Sequence, residues 1–76
     1  MKGDYMTKQE WRKNFGLNLK QKILESGKTK TDICRAMGIR LSVLSRYLNG
    51  EVEPTSSSLL KLAKAIGCMA DELIKF

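Results

Sequence analysis

The chain has 76 residues, room for one domain at most and for an economical core. With 42% hydrophobic and 29% charged residues it has globular proportions, which exclude an unstructured polyelectrolyte. The net charge is +6 and histidine is absent, so the commonest general base and the commonest metal ligand are missing together.

Apolar residues recur at spacings of three and four and never alternate over a strand-length window, which predicts helices throughout. Residues 1–6 read as a frayed tail, and 7–76 as the domain. A first helix opens at Thr7, with Glu10 three residues on as a capping box requires. Trp11, Phe15, Leu19 and Ile23 follow at steps of four and make one apolar stripe. Gly16 inside that helix costs about 1 kcal/mol relative to alanine and suits a close helix contact. Gly27 supplies a left-handed stop.

A second, short helix runs from Lys30 to Met37, capped by Thr29 with Asp32 at the third position. Gly38 ends it and Ile39 plugs the turn into the core. A third helix covers about Leu41–Leu48, with Leu44 and Leu48 facing inward. Counting about 100° per residue from Leu44, Ser42 and Arg46 point outward, with Val43 and Ser45 on the flanks. Pro54 makes residues 51–55 a loop. Leu59, Leu62, Ala63 and Ile66 give a fourth helix its apolar face, and Gly67 ends it. A last short helix spans about Ala70–Ile74. The predicted core joins Trp11, Phe15, Ile33, Met37, Ile39, Leu44, Leu48, Leu59, Leu62 and Ile66.

Charge is unevenly distributed. Residues 1–50 carry eleven Lys or Arg against four Asp or Glu, a net +7, while residues 51–76 carry three against four, a net −1. That asymmetry fits either a footprint for a polyanion or well-solvated helix surfaces. Cys34 and Cys68 are too few for a disulfide framework and sit in apolar patterns, as small core residues do. There is no Cys-x-x-Cys, no glycine-rich phosphate loop and no usefully spaced carboxylate pair. No catalytic residue, metal or cofactor is therefore expected, and the chain reads as a non-enzyme. No apolar run approaches the roughly 18 residues of a membrane span, and the opening MKGDYMTKQE lacks a signal-peptide core. The expectation is a cytoplasmic protein with no membrane partner.

The informative constellation is a short helix, a tight Gly-containing turn and a second short helix with a polar outer face. Two helices joined this way form a helix-turn-helix. The major groove of DNA, about 12 Å wide, accepts one helix, while the preceding helix offers its N-terminal N–H groups to a phosphate.

The specific residues sharpen this reading. Ile33, Met37-Gly38-Ile39, Leu44-Ser45-Arg46 and Asn49-Gly50, within residues 29–50, resemble the helix-turn-helix of the Xre/Cro/lambda-repressor family. The likeness continues through Pro54-Thr55, Leu59–Gly67, Asp71-Glu72-Leu73 and, upstream, Phe15-Gly16 with Leu19-Lys20. It implies an all-α, compact five-helix fold that binds double-stranded operator DNA, commonly as a homodimer, and represses or otherwise regulates transcription.

Carried over residue by residue, the resemblance implies that Leu41, Ser42, Ser45 and Arg46 face the bases. Arg46 has the fork to read guanine O6 and N7. Leu41, usually polar in the family, meets either a thymine methyl or the core. Thr29, Lys30, Arg40, Tyr47 and Asn49 fall at phosphate positions. Lys30 stands where the family usually places Gln, and Arg40 occupies a cap position without being able to cap. Tyr47 either turns its hydroxyl to phosphate or simply packs. The loop Glu51-Val52-Glu53 departs from the family, whose loop is often basic, and its carboxylates would repel phosphates. Leu73, Ile74 and Phe76 either form a dimer interface or pack onto the first helix. An alternative reading is a protein-binding module of the same fold, an antitoxin or an adaptor whose partner is a toxin or the transcription machinery.

Overall fold

The computed structural model describes residues 6–76. The expected tail at 1–6 therefore lies outside the described residues except for Met6, which is exposed and accepts a weak hydrogen bond from Asn14 Nδ2 at 3.4 Å. Five helices follow in order: α1 (Lys8–Ser26), α2 (Lys30–Met37), α3 (Leu41–Leu48), α4 (Ser56–Ile66) and α5 (Ala70–Ile74). Among the described residues there is no strand.

The boundaries follow from local chemistry. At α1, Glu10 N–H donates to Thr7 Oγ1 (3.1 Å) and Thr7 N–H donates to Glu10 Oε1 (2.9 Å). Thr29 and Asp32 repeat the arrangement at α2, with bonds of 3.1 and 3.0 Å. Each box satisfies two backbone donors that a helix start leaves free. The N–H bonds to Glu10 and Asp32 favour their charged forms and hold both carboxyls below the ordinary carboxylate range. Thr55 caps α4 by accepting from Ser58 N–H at 3.0 Å.

The core gathers Phe15, Leu19 and Ile23 of α1, Ile33 and Cys34 of α2, Leu44 of α3, Leu62, Ala63 and Ile66 of α4, and Leu73 of α5. Trp11, Met37, Ile39, Leu48 and Leu59, also expected in the core, are half-buried and pack against it. Trp11 stacks on Phe15 with ring centroids 5.2 Å apart and planes within 7°. Cys34 is buried and Cys68 half-buried, both as free thiols. Burial raises both thiol pKa values, which disfavours the reactive thiolate.

Leu73 requires a correction. Read as a dimer-interface residue, it is fully buried within its own chain. Asn18 of α1 explains why: its Nδ2 donates to the carbonyls of Glu72 (2.7 Å) and Leu73 (2.8 Å), clamping α5 against α1. Lys22 adds an ionic contact to Glu72 at 3.8 Å. Phe76 meets the edge of Trp11 at 5.8 Å yet stays 48% exposed, and Ile74 is 44% exposed.

Candidate nucleic-acid interface

The turn between α2 and α3 is built by one glycine and one isoleucine. Gly38 adopts the left-handed conformation (φ +70°), which an L side chain rarely adopts. Its N–H donates to Arg35 O at 3.3 Å, and Ile39 N–H donates to Cys34 O at 3.0 Å. Those two bonds close the end of α2 while Ile39 packs against the core.

The α3 helix is two-sided. Leu44 is fully buried, Leu48 half-buried, and Ser42 and Arg46 are exposed on the opposite side. Ser45 and Tyr47 are half-buried on the flanks. Leu41 is 50% exposed, so of its two readings the core is excluded. No side chain caps α3: Arg40 sits at the cap in extended geometry, its carbonyl accepting from Val43 and Leu44 N–H, and its guanidinium makes no cap bond. Lys30, Thr29 and Arg40 are all exposed at helix starts.

Two glycines fix how α3 sits on α1. A Cβ at Gly16 would collide with the carbonyl oxygen of Leu48 and stand 2.8 Å from that of Tyr47. A Cβ at Gly50 would lie 2.9 Å from the Cα of Lys13, and its φ of +74° is itself a glycine conformation. The close contact expected at Gly16 is thus present, and its partner is the C-terminal turn of α3.

The acidic loop is compensated from within. Glu53 Oε1 lies 3.5 Å from Arg12 Nε, an ionic contact too poorly aligned to be a hydrogen bond, and that Nε is otherwise buried without a partner. Glu51 Oε2 accepts from Asn49 Nδ2 at 3.4 Å. The Asn49 amide, expected to meet phosphate, is therefore turned toward a carboxylate.

Sequence reasoning passed over Arg12, Asn18 and Lys28. Lys28 Nζ donates to Ala65 O near the end of α4 at 3.0 Å, tying the α1–α2 corner to α4. A mid-helix Asn is a poor helix former, and that was the available signal for Asn18. Nothing in local spacing marks the other two. Among the described residues, no group of three His, Cys, Asp or Glu is placed to hold a metal, and no helix is long and apolar enough to cross a membrane.

The helix-turn-helix family model matches residues 19–73. Three solved structures share the fold. One is the restriction-modification controller protein C.AhdI from Aeromonas hydrophila, with 22% identity, 82% of this chain and 94% of that chain covered, and a TM-score of 0.76. Another is the clp gene regulator ClgR from C. glutamicum, at 22% identity, 83% and 82% coverage and a TM-score of 0.78. The third is the hypothetical transcription factor NHTF from Neisseria, at 19% identity, 99% and 86% coverage and a TM-score of 0.78. No curated protein matches the chain. The match spans the turn, the two-sided α3 and the α4–α5 support beneath it, and on that ground the chain belongs to the helix-turn-helix family, in its Xre/Cro-type branch.

Proposed function

We propose that this chain is a DNA-binding regulator of transcription, a repressor in the simplest case, which inserts α3 into the major groove of double-stranded DNA. The observation that carries this is the two-sidedness of α3, with Leu44 buried beneath and Ser42 and Arg46 exposed above. Residues 7–76 act as one DNA-binding domain without catalytic, metal or cofactor chemistry, in the cytoplasm. Arg46 donates to guanine O6 and N7, Ser42 and Ser45 hydrogen-bond neighbouring base edges, and Leu41 meets a thymine methyl.

Backbone contacts come from the helix starts. Thr29 and Lys30 bring the first turn of α2 to one phosphate, and Arg40 reaches another. The Tyr47 hydroxyl and Asn49 extend this set, Asn49 by exchanging the Glu51 carboxylate for a phosphate. The Arg12–Glu53 pair supports the reading, because it offsets the carboxylate that would otherwise repel DNA.

The protein works as a homodimer. One short recognition helix reads only a few base pairs, and two-fold pairing sets a second copy about 34 Å along the groove. Ile74 and Phe76, exposed at the end of the chain, are the contact surface, with Leu73 excluded by its burial. Selection from random duplex DNA tests both ideas. Inverted repeats with half-site centres about 10 base pairs apart are expected. Asymmetric single half-sites holding one protein per duplex would rule the dimer out, and failure to enrich any motif would overturn base reading.

A further inference from the structure

Between the C-terminal half of α1 and the start of α2 lies a groove of about 370 Å³, lined by Lys20, Ile23, Leu24, Lys28, Lys30 and Leu48. Its lining mixes aliphatic and cationic side chains and contains no carboxylate. Among the described residues neither Lys20 nor Lys30 is paired with an acid. Leu24 and Leu17 are the two most exposed leucines, at 70% and 64%. They stand seven residues apart on one solvent-facing stripe of α1, about 10 Å from each other.

Duplex DNA accounts for the lysines but not for the leucines, since its backbone offers phosphate and nothing apolar to seat on them. A second copy of the chain packed face to face about a two-fold axis would set Lys20 and Lys30 against like charges. The composition fits a ligand that is anionic and apolar at once. Its length, two helical turns from Leu17 to Leu24, matches the i to i+7 reach of an amphipathic helix.

We propose that this groove and stripe dock an acidic amphipathic helix of a partner protein. Two apolar side chains of that helix, two turns apart, seat on Leu17 and into the groove beside Leu24. Its carboxylates meet Lys20 and Lys30. Lys30 also serves the DNA backbone in the function proposed above, so the partner and DNA exclude each other. The competition rests on that reading, whereas the docking does not.

The probe is a synthetic helical peptide of Glu and Ala with leucines at i and i+7, fluorescently labelled and titrated at physiological salt. Amide shifts are expected to concentrate at residues 17–30 and at Leu48. Leu17→Ser and Leu24→Ser, both at exposed positions, should each weaken peptide binding about tenfold and leave affinity for duplex DNA within about twofold. A scrambled peptide of the same composition that binds equally well would reduce the site to charge attraction and overturn the proposal. Leucine-dependent binding to vesicles of phosphatidylglycerol and phosphatidylcholine, with no peptide binding, would overturn it in favour of a membrane face. Duplex DNA should displace bound peptide. If both bind without displacement the competition is wrong, and a duplex that does not bind at all sinks the DNA reading while the peptide arm still decides the docking.

Discussion

Gly16 of α1 and Leu48 of α3 meet backbone to backbone: the missing side chain of the one is the space occupied by the carbonyl of the other. The contact joins α1 to the C-terminal turn of α3, so its geometry is transmitted to the face proposed to meet DNA.

Gly16→Ala is predicted to destabilise the protein although it removes a glycine from a helix. Alanine gains about 1 kcal/mol in helix propensity. The new methyl meets two carbonyls that belong to helical backbone and cannot rotate away, and overpacking of this kind costs typically 1–3 kcal/mol. A net loss of about 1 kcal/mol and a drop in midpoint of about 4–8 °C are expected in thermal unfolding. Affinity for DNA should fall with it. A raised midpoint would show that the helices separate freely.

Asn18→Ala is predicted to loosen α5. The carbonyls of Glu72 and Leu73 lose their donor, at a cost of about 1 kcal/mol. Hydrogen exchange should accelerate at residues 70–76 before it does elsewhere, while Trp11 fluorescence reports the departure of Phe76. Because Leu73 is core, truncation from residue 72 would unfold the chain. The proposed dimer is better probed by Ile74→Glu, which should lower DNA-bound dimer at unchanged helicity.

Arg46→Ala is expected to cost about 1–3 kcal/mol in DNA binding and to relax preference at one base position. Lys30→Ala should weaken all sequences alike and reduce the salt slope by about one phosphate contact. An unchanged selected motif in Arg46→Ala would move Arg46 from the bases to the backbone.

Acid should unfold the protein from its helix starts. Glu10 and Asp32 have folded pKa values below their unfolded ones. Their contribution is therefore complete above the ordinary carboxylate range and is lost as pH falls through the depressed folded values. Glu10→Gln and Asp32→Asn, which remove the titrating carboxylate from each box, should each lower stability at neutral pH and flatten its dependence on acid. Circular dichroism across an acid titration measures both, and unaltered profiles would discount the caps.

α1, α2 and α4 were legible because they carry their own punctuation: Thr7 with Glu10 and then Gly27, Thr29 with Asp32 and then Gly38, and Thr55 with Gly67. Those signals act within a few residues, so the chain itself states them. Gly16 could be suspected, but its partner could not, since the Leu48 carbonyl reaches it only through the fold. Leu73 was ambiguous for a physical reason. An apolar residue near a chain end satisfies burial equally well inside its own core or against a second molecule, and what decides it, the Asn18 clamp, comes from the other end of the sequence. The Arg12–Glu53 pair was hidden likewise. The outward face of α3 was readable from periodicity, because a buried Leu44 dictates where Ser42 and Arg46 point.

The two glycine contacts also bear on the thermodynamics of recognition. With Gly16 against Leu48 and Gly50 against Lys13, the backbones of α3 and α1 are in direct contact at two points, which favours one fixed seating of α3. On the proposed function, the orientation of α3 is set when the chain folds and not when it meets DNA, as in a preorganised binder. Calorimetric titration should accordingly yield a heat-capacity change that matches the surface covered at the interface, without the excess that accompanies folding coupled to binding.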